Sequence, residues 1–151
     1  MARNYLQGRY QVKNPGKYVG DRNNVIYRSS WELRLCRFLD MNENVIQWSV
    51  EETIVPYFYD VDQKMHRYFV DFWVKLRNTD GEIEEMLLEV KPMKQVEKPK
   101  IKKVTEKNQH QIFEWVKNQN KWNAASEYAR KRGWTFKVLT EHELGISKKR
   151  K

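Results

Sequence analysis

Residues 67–91 carry the strongest local constraint in the chain. Arg67 to Leu76 is crowded with Tyr, Phe, Val and Trp, and Ile83 to Lys91 is a second strand-like run ended by Pro92. Between them lies Asp80-Gly81, a dipeptide suited to the left-handed backbone of a tight hairpin turn. The pair reads as an antiparallel hairpin. Asp71 and Glu89 stand nine residues either side of Asp80, so folding about the turn sets them opposite each other, within a residue of register. Opposed cross-strand Cβ atoms are ~5 Å apart.

The other elements arrange themselves around that hairpin. Ser29-Ser30-Trp31-Glu32 has capping-box spacing and opens a helix whose Trp31, Leu35, Phe38 and Leu39 are expected to face the core, with a stop near Met41-Asn42. Val45 to Val50 and Thr53 to Tyr59 read as strands, and Pro56 pushes the second towards an edge. Asp60 to Lys64 is a loop. A long helix is expected from about Gln109 to Arg132, closed by Gly133, with Ile112, Trp115, Val116, Trp122 and Ala129 on its buried side. Thr135 to Leu139 is a last short strand, and Thr140 to Glu143 fits a second capping box. The order implies one mixed α/β (α+β) domain, a mixed central sheet flanked by helices and carrying the antiparallel hairpin. Its expected limits are 26–144, with a basic arm at 1–25, a basic connector at 92–107 and a basic tail at 145–151.

Charge matters here more by place than by amount. The chain has 151 residues and a formal net charge of +9. Met1 to Val25 is net +4, Lys91 to Lys107 net +5 and Gly145 to Lys151 net +4, so the remainder is mildly acidic. Basic segments around a near-neutral body suit a polyanion, because each neutralised phosphate releases counterions. They equally serve solubility. The single cysteine, Cys36, rules out an internal disulfide and a cysteine-based zinc site, and reads as a small core residue. No apolar run reaches the ~18 residues of a membrane span, and no signal-peptide pattern opens the chain, so a cytoplasmic protein is expected.

Chemistry centres on Glu89-Val90-Lys91. Alternation puts Glu89 and Lys91 on one face, with Val90 opposite, at the point where Pro92 ends the strand. Asp71 and Glu89 would repel unless a cation stood between them. Mg²⁺, which takes one or two carboxylates plus phosphate oxygens, suits the pair, with Mn²⁺ as a substitute. Lys91 can orient a water nucleophile and offset charge building on a phosphorus centre. Against this stands a plainer reading: an acid-x-lysine triplet is common in a charged chain, and these groups could simply be a solvated sheet face. The apolar runs around both carboxylates weigh against that, since burying a carboxylate costs free energy. Glu32 is either the capping glutamate of its helix or a further site carboxylate. Gln119 lies near the buried side of the long helix and faces either the site or the core. Lys121 is a phosphate contact or a solvated lysine. His66 precedes the Asp71 strand, His110 and His142 lie elsewhere, and no Ser/His/Asp order, Walker loop or dinucleotide fingerprint appears.

The order Glu32, Asp71, Glu89-Val90-Lys91 resembles the PD-(D/E)xK nuclease superfamily, although Val70 stands where that pattern has proline. Tyr27 to Glu32, His66 to Phe72, and Gly133-Trp134 with Phe136 and Thr140-Glu141 resemble TnsA-like transposon-end nucleases. Nearly the full length is similar to the head-completion nucleases of T-even-type bacteriophages. The resemblance implies a restriction-endonuclease-like fold, Asp71 and Glu89 as metal ligands, Lys91 as the catalytic lysine, and Glu32 as an added carboxylate. It implies a metal-dependent deoxyribonuclease with little sequence specificity, acting on double-stranded DNA in phage head completion and head–tail joining. Portal or neck proteins would then be partners, and a virion-associated location follows. Two other functions stay open at this level. One is a non-enzymatic adaptor binding DNA or a portal ring; the other is a TnsA-like subunit that cuts only beside a transposase.

Overall fold

In the computed structural model, which describes residues 7–145, the chain opens on two short strands, β1 (Gly8–Arg9) and β2 (Ile26–Tyr27), which pair antiparallel. Helix α1 (Ser30–Met41) follows, then β3 (Val45–Val50), β4 (Ile54–Tyr59), β5 (Lys64–Phe69), β6 (Phe72–Arg77) and β7 (Ile83–Val90). A single turn, α2 (Met93–Val96), leads through the connector to the long α3 (Gln109–Lys131), then β8 (Thr135–Leu139) and α4 (Glu141–Leu144). The central sheet has the order β3-β6-β7-β8. Its first three strands are antiparallel and β8 runs parallel to β7, so the sheet is mixed, as expected. The parallel pair needs a crossover, which the connector and α3 supply.

Period-two alternation divides the sheet into two faces, each with its own core. Phe72, Val74, Leu88 and Val90 pack under Leu35, Cys36 and Leu39 of α1. Leu87, with Trp73, Phe136 and Val138, meets Trp122, Ala125 and Ala129 of α3. Each helix thus covers one face. Among the described residues no helix is long and apolar enough to cross a membrane.

Three expectations need correction. Residues 7–25 are not an extended arm: Tyr10, Tyr18 and Val25 are core residues, and both tyrosine rings meet the Trp48 ring edge-on. Val19 donates to the Trp48 carbonyl at 2.9 Å and Trp48 donates to the Lys17 carbonyl at 3.0 Å, so this segment covers the open edge of β3. A few apolar side chains set at wide intervals among the charges are enough to dock it. The tail from 146 onward lies outside the described residues. Phe38 is 55% exposed, because the buried stripe of α1 is defined by Leu35, Cys36, Leu39 and Asp40, and position 38 turns away from it.

The third correction concerns the strand expected at Arg67 to Leu76, which is broken at Val70-Asp71 into β5 and β6. β4 and β5 form a two-stranded ribbon that continues the β3–β6 pair. The pairing is Val50 with Phe72 on one side of the break and Ile54 with Phe69 on the other. Three residues on one strand therefore face two on its partner, which is a β-bulge. Glu51 takes the strain, with φ +54, and its N–H donates to the Asp71 carbonyl at 3.0 Å. Across the bulge the faces exchange. Tyr68 and Val70 belong to the α3-side core, whereas Phe72 and Val74 belong to the α1 side.

Candidate active site

The β6–β7 hairpin pairs Phe72 with Leu88, and the next step of that register sets Asp71 across from Glu89. The Val90 N–H donates to Asp71 Oδ2 at 2.9 Å, tying the two strands together at this point. Glu89 is only 7% exposed. The Tyr68 hydroxyl donates a very short hydrogen bond to its Oε1, and Lys91 Nζ stands 3.7 Å from its Oε2. Lys91 is itself held through its N–H to the Leu139 carbonyl of β8, at 3.0 Å. The bulge is what allows Tyr68 to reach Glu89. Positions 68 and 71 fall on opposite faces of a regular strand, and only the exchange of faces brings the phenol and both carboxylates together.

Glu32 approaches from α1. It lies in the first turn of that helix, on the face that carries Leu35, Cys36 and Leu39. Ser29 Oγ accepts from the Glu32 N–H at 3.1 Å, so Ser29 is the N-cap. The Glu32 carboxylate accepts from the Arg28 N–H at 3.1 Å, one residue beyond the usual capping-box donor. Both readings of Glu32 thus have a footing: it closes the helix start and its charge is felt at Asp71. Gln119 is half-buried on α3, and among the described residues no hydrogen bond or ion pair joins it to Asp71, Glu89 or Lys91. His66 is drawn away, paired with Asp62 at 2.7 Å and stacked on Tyr57.

The electrostatics follow from crowding anions where water is scarce. Burial, then the charges of Glu89 and Glu32, push the Asp71 carboxyl well above the usual carboxylate range, against the opposing pull of the Val90 N–H and Lys91. Glu32 is also raised, by burial first, with Glu51 and Glu89 adding to it. Burial and Glu89 push the Tyr68 phenol far up, so it stays a donor. Lys121 is lowered by burial, with Lys91 and Lys117 acting in the same direction and Glu89 opposing. Its Nζ lies 5.3 Å over the Tyr68 ring. Tyr68 and Glu51 escaped the sequence reading; Lys121, weighed there as a phosphate contact, stands against the site.

Among the described residues, no group of three or more His, Cys, Asp and Glu side chains is arranged to hold a metal ion. Mg²⁺ asks for less: one or two carboxylates, the rest being water and phosphate oxygens. Asp71 and Glu89 meet that demand, each with one oxygen hydrogen-bonded by the protein and a second oxygen that accepts none. The residues present fit the ion.

Relatives now bear on this geometry. The model of the TnsA-like endonuclease N-terminal family matches residues 42–141, which contain β3 to β8 and with them Asp71, Glu89 and Lys91. The head completion nuclease of Enterobacteria phage T4 is 37% identical, across 91% of this chain and 92% of that protein. Glu32 lies before the matched family segment but within the reach of a full-length relative. By the extent of both matches this chain belongs to the TnsA-like endonuclease family.

Proposed function

We propose that this chain is a metal-dependent deoxyribonuclease that hydrolyses phosphodiester bonds of double-stranded DNA with little sequence preference. The observation carrying the reading is Asp71 set across from Glu89 with Lys91 beside them, at the bulged end of the β6–β7 pair. Asp71 and Glu89 would hold Mg²⁺, or Mn²⁺ in its place. When bound, such an ion polarises a phosphoryl oxygen and lowers the pKa of a coordinated water. The chain's own groups do the rest. Lys91 contacts the scissile phosphate, offsets the charge that grows on it, and orients the attacking water. Tyr68 fixes the rotamer of Glu89 through its donated hydrogen bond. Glu32 adds a third negative charge that favours a cation over an empty carboxylate pair. Basic segments grip phosphates without reading bases. The name of the T4 relative supports a role in phage head completion, where DNA and portal or neck proteins would be the partners.

The test is cleavage of supercoiled and linear duplex DNA with Mg²⁺ or with EDTA. Cutting in Mg²⁺ and none in EDTA is the expected result; cutting unaffected by EDTA would overturn the metal role. Lys91→Ala should lower the rate far more than the affinity for DNA. Tyr68→Phe should lower kcat by about tenfold while leaving the Kd for DNA within about twofold, because it frees Glu89 without removing a charge. An unchanged kcat in Tyr68→Phe would remove Tyr68 from the site.

A further inference from the structure

Beside Lys91 lies a second feature that hydrolysis alone does not use. The connector and the first half of α3 enclose an open groove of about 680 Å³. Lys94, Lys98 and Lys100 stand along the connector wall, Trp115 and Asn118 form the α3 wall, and Lys91 lines the same groove. The three connector lysines are exposed, and Lys98 Nζ sits 5.7 Å from the Trp115 ring centre. Glu97 and Glu114 also line the groove, so it is basic without being uniformly so. Glu114 spends part of its charge on Lys117, at 3.9 Å.

Two polar side-chain groups of α3 have no protein partner here among the described residues. Asn118 is 9% exposed, and its amide has no hydrogen-bond partner among the described residues. The Trp115 indole N–H is buried and unpartnered as well. The Asn118 amide opens to the groove, where a ligand can take the bonds that the protein leaves unmade.

From this juxtaposition we infer that the connector–α3 groove is a binding track for an unpaired DNA strand, leading it to or from Lys91. This rests on the nuclease reading and narrows it. Lysines spaced along one wall suit successive backbone phosphates, and an aromatic wall suits the face of a base. The Asn118 amide, which has no protein partner among the described residues, supplies donors to phosphate or base oxygens. A base within a duplex is stacked on both faces and cannot lie against Trp115, whereas one in a single-stranded end can.

The experiment measures binding in EDTA by fluorescence anisotropy, on a blunt duplex and on the same duplex carrying a single-stranded overhang. The wild-type protein should prefer the overhang by about tenfold, as one stacked base and a few phosphates would give. In Lys94→Ala/Lys98→Ala/Lys100→Ala, and separately in Asn118→Ala, that ratio should fall towards one. A control with the same charge change away from the groove, Arg37→Ala/Arg77→Ala/Lys137→Ala, should keep it. No preference in the wild type, or a preference the lysine variant retains, overturns the track. Failure of the nuclease reading looks different: preference for the overhang intact, with no Mg²⁺-dependent cutting of either substrate.

Discussion

Asp71→Asn should reduce Mg²⁺-dependent cleavage by about 10³-fold or more, which corresponds to ~4 kcal/mol of transition-state stabilisation. The substitution suits the question because an asparagine oxygen can still accept from the Val90 N–H, at the position where Asp71 Oδ2 does so at 2.9 Å. The hairpin is then kept while the charge is removed. DNA binding in EDTA should persist, since the basic segments supply it. A second signature separates this from general damage. The Asp71 carboxyl is pushed up by burial and by Glu89 and Glu32, so its ionised form is a cost to the metal-free fold. The sign follows. For an acid whose folded pKa is raised, stability is lost as pH rises from its unfolded value of ~3.9 through the higher folded value. At neutral pH the metal-free Asp71→Asn protein should therefore melt higher than wild type, by about 3 °C. Added Mg²⁺ should raise the Tm of wild type and leave that of the variant where it was. A variant that loses activity and also melts lower would assign Asp71 to the scaffold instead.

That pairing could be counted out from the turn, and the reason is geometric. A three-residue loop, Thr79-Asp80-Gly81, closed by the Asn78 N–H on the Glu82 carbonyl at 2.8 Å, fixes register, and register fixes which residues oppose across the strands. Nothing comparable announces the bulge. Its strained residue is Glu51, at φ +54, where a sequence reader would look for glycine or asparagine. What holds it there is tertiary: the Arg28 guanidinium binds the Glu51 carboxylate at 2.9 and 3.1 Å, and the Glu51 N–H is taken by the Asp71 carbonyl. Because the bulge was invisible, Arg67 to Leu76 read as one strand, and nothing set Tyr68 beside the carboxylates. Glu32 illustrates the opposite case. Its spacing from Leu35, Cys36 and Leu39 lies in the sequence for anyone to see, yet spacing alone cannot separate a cap from a site carboxylate. Gln119 was singled out by the same helical spacing, and the structure gives it no tie to the carboxylates. The elements with periodic apolar patterns came through well, β3 and β8 residue for residue, because burial on a sheet or helix face is what those patterns encode.

Asp40→Ala should be the most destabilising single polar substitution in the chain, at about 2–4 kcal/mol and about 10 °C in Tm. Asp40 sits in the buried stripe of α1 with no exposed surface. Its carboxylate accepts from the Tyr10 hydroxyl at 2.6 Å, the Lys13 N–H at 2.8 Å and the Asn14 N–H at 3.1 Å. Its carbonyl accepts from Asn14 Nδ2 and from Lys17 Nζ, at 2.8 and 2.9 Å. One residue thus fastens residues 10–17 onto α1, its carboxylate holding Tyr10, Lys13 and Asn14. Alanine would leave a buried tyrosine hydroxyl and two backbone donors without acceptors, which is costlier than never having had the bonds. Burial alone would raise the Asp40 carboxyl, but the bonds from Tyr10, Lys13 and Asn14 outweigh it and hold the group below the usual carboxylate range. An acid depressed in the fold contributes stability above its unfolded value of ~3.9, and that contribution is lost as pH falls through the lower folded value. Wild-type Tm should therefore drop steeply below about pH 4, and Asp40→Asn, which cannot take up that proton, should drop less. Limited trypsin digestion gives the structural readout. At neutral pH, Arg9, Lys13 and Lys17 should resist cleavage in wild type and be cut early in Asp40→Ala, because the aromatic contacts of Tyr10 and Tyr18 with Trp48 cannot hold the segment once its polar clasp is gone. Equal protection in both proteins would mean that the tyrosines alone dock the segment, and that Asp40 stabilises α1 rather than what crosses it.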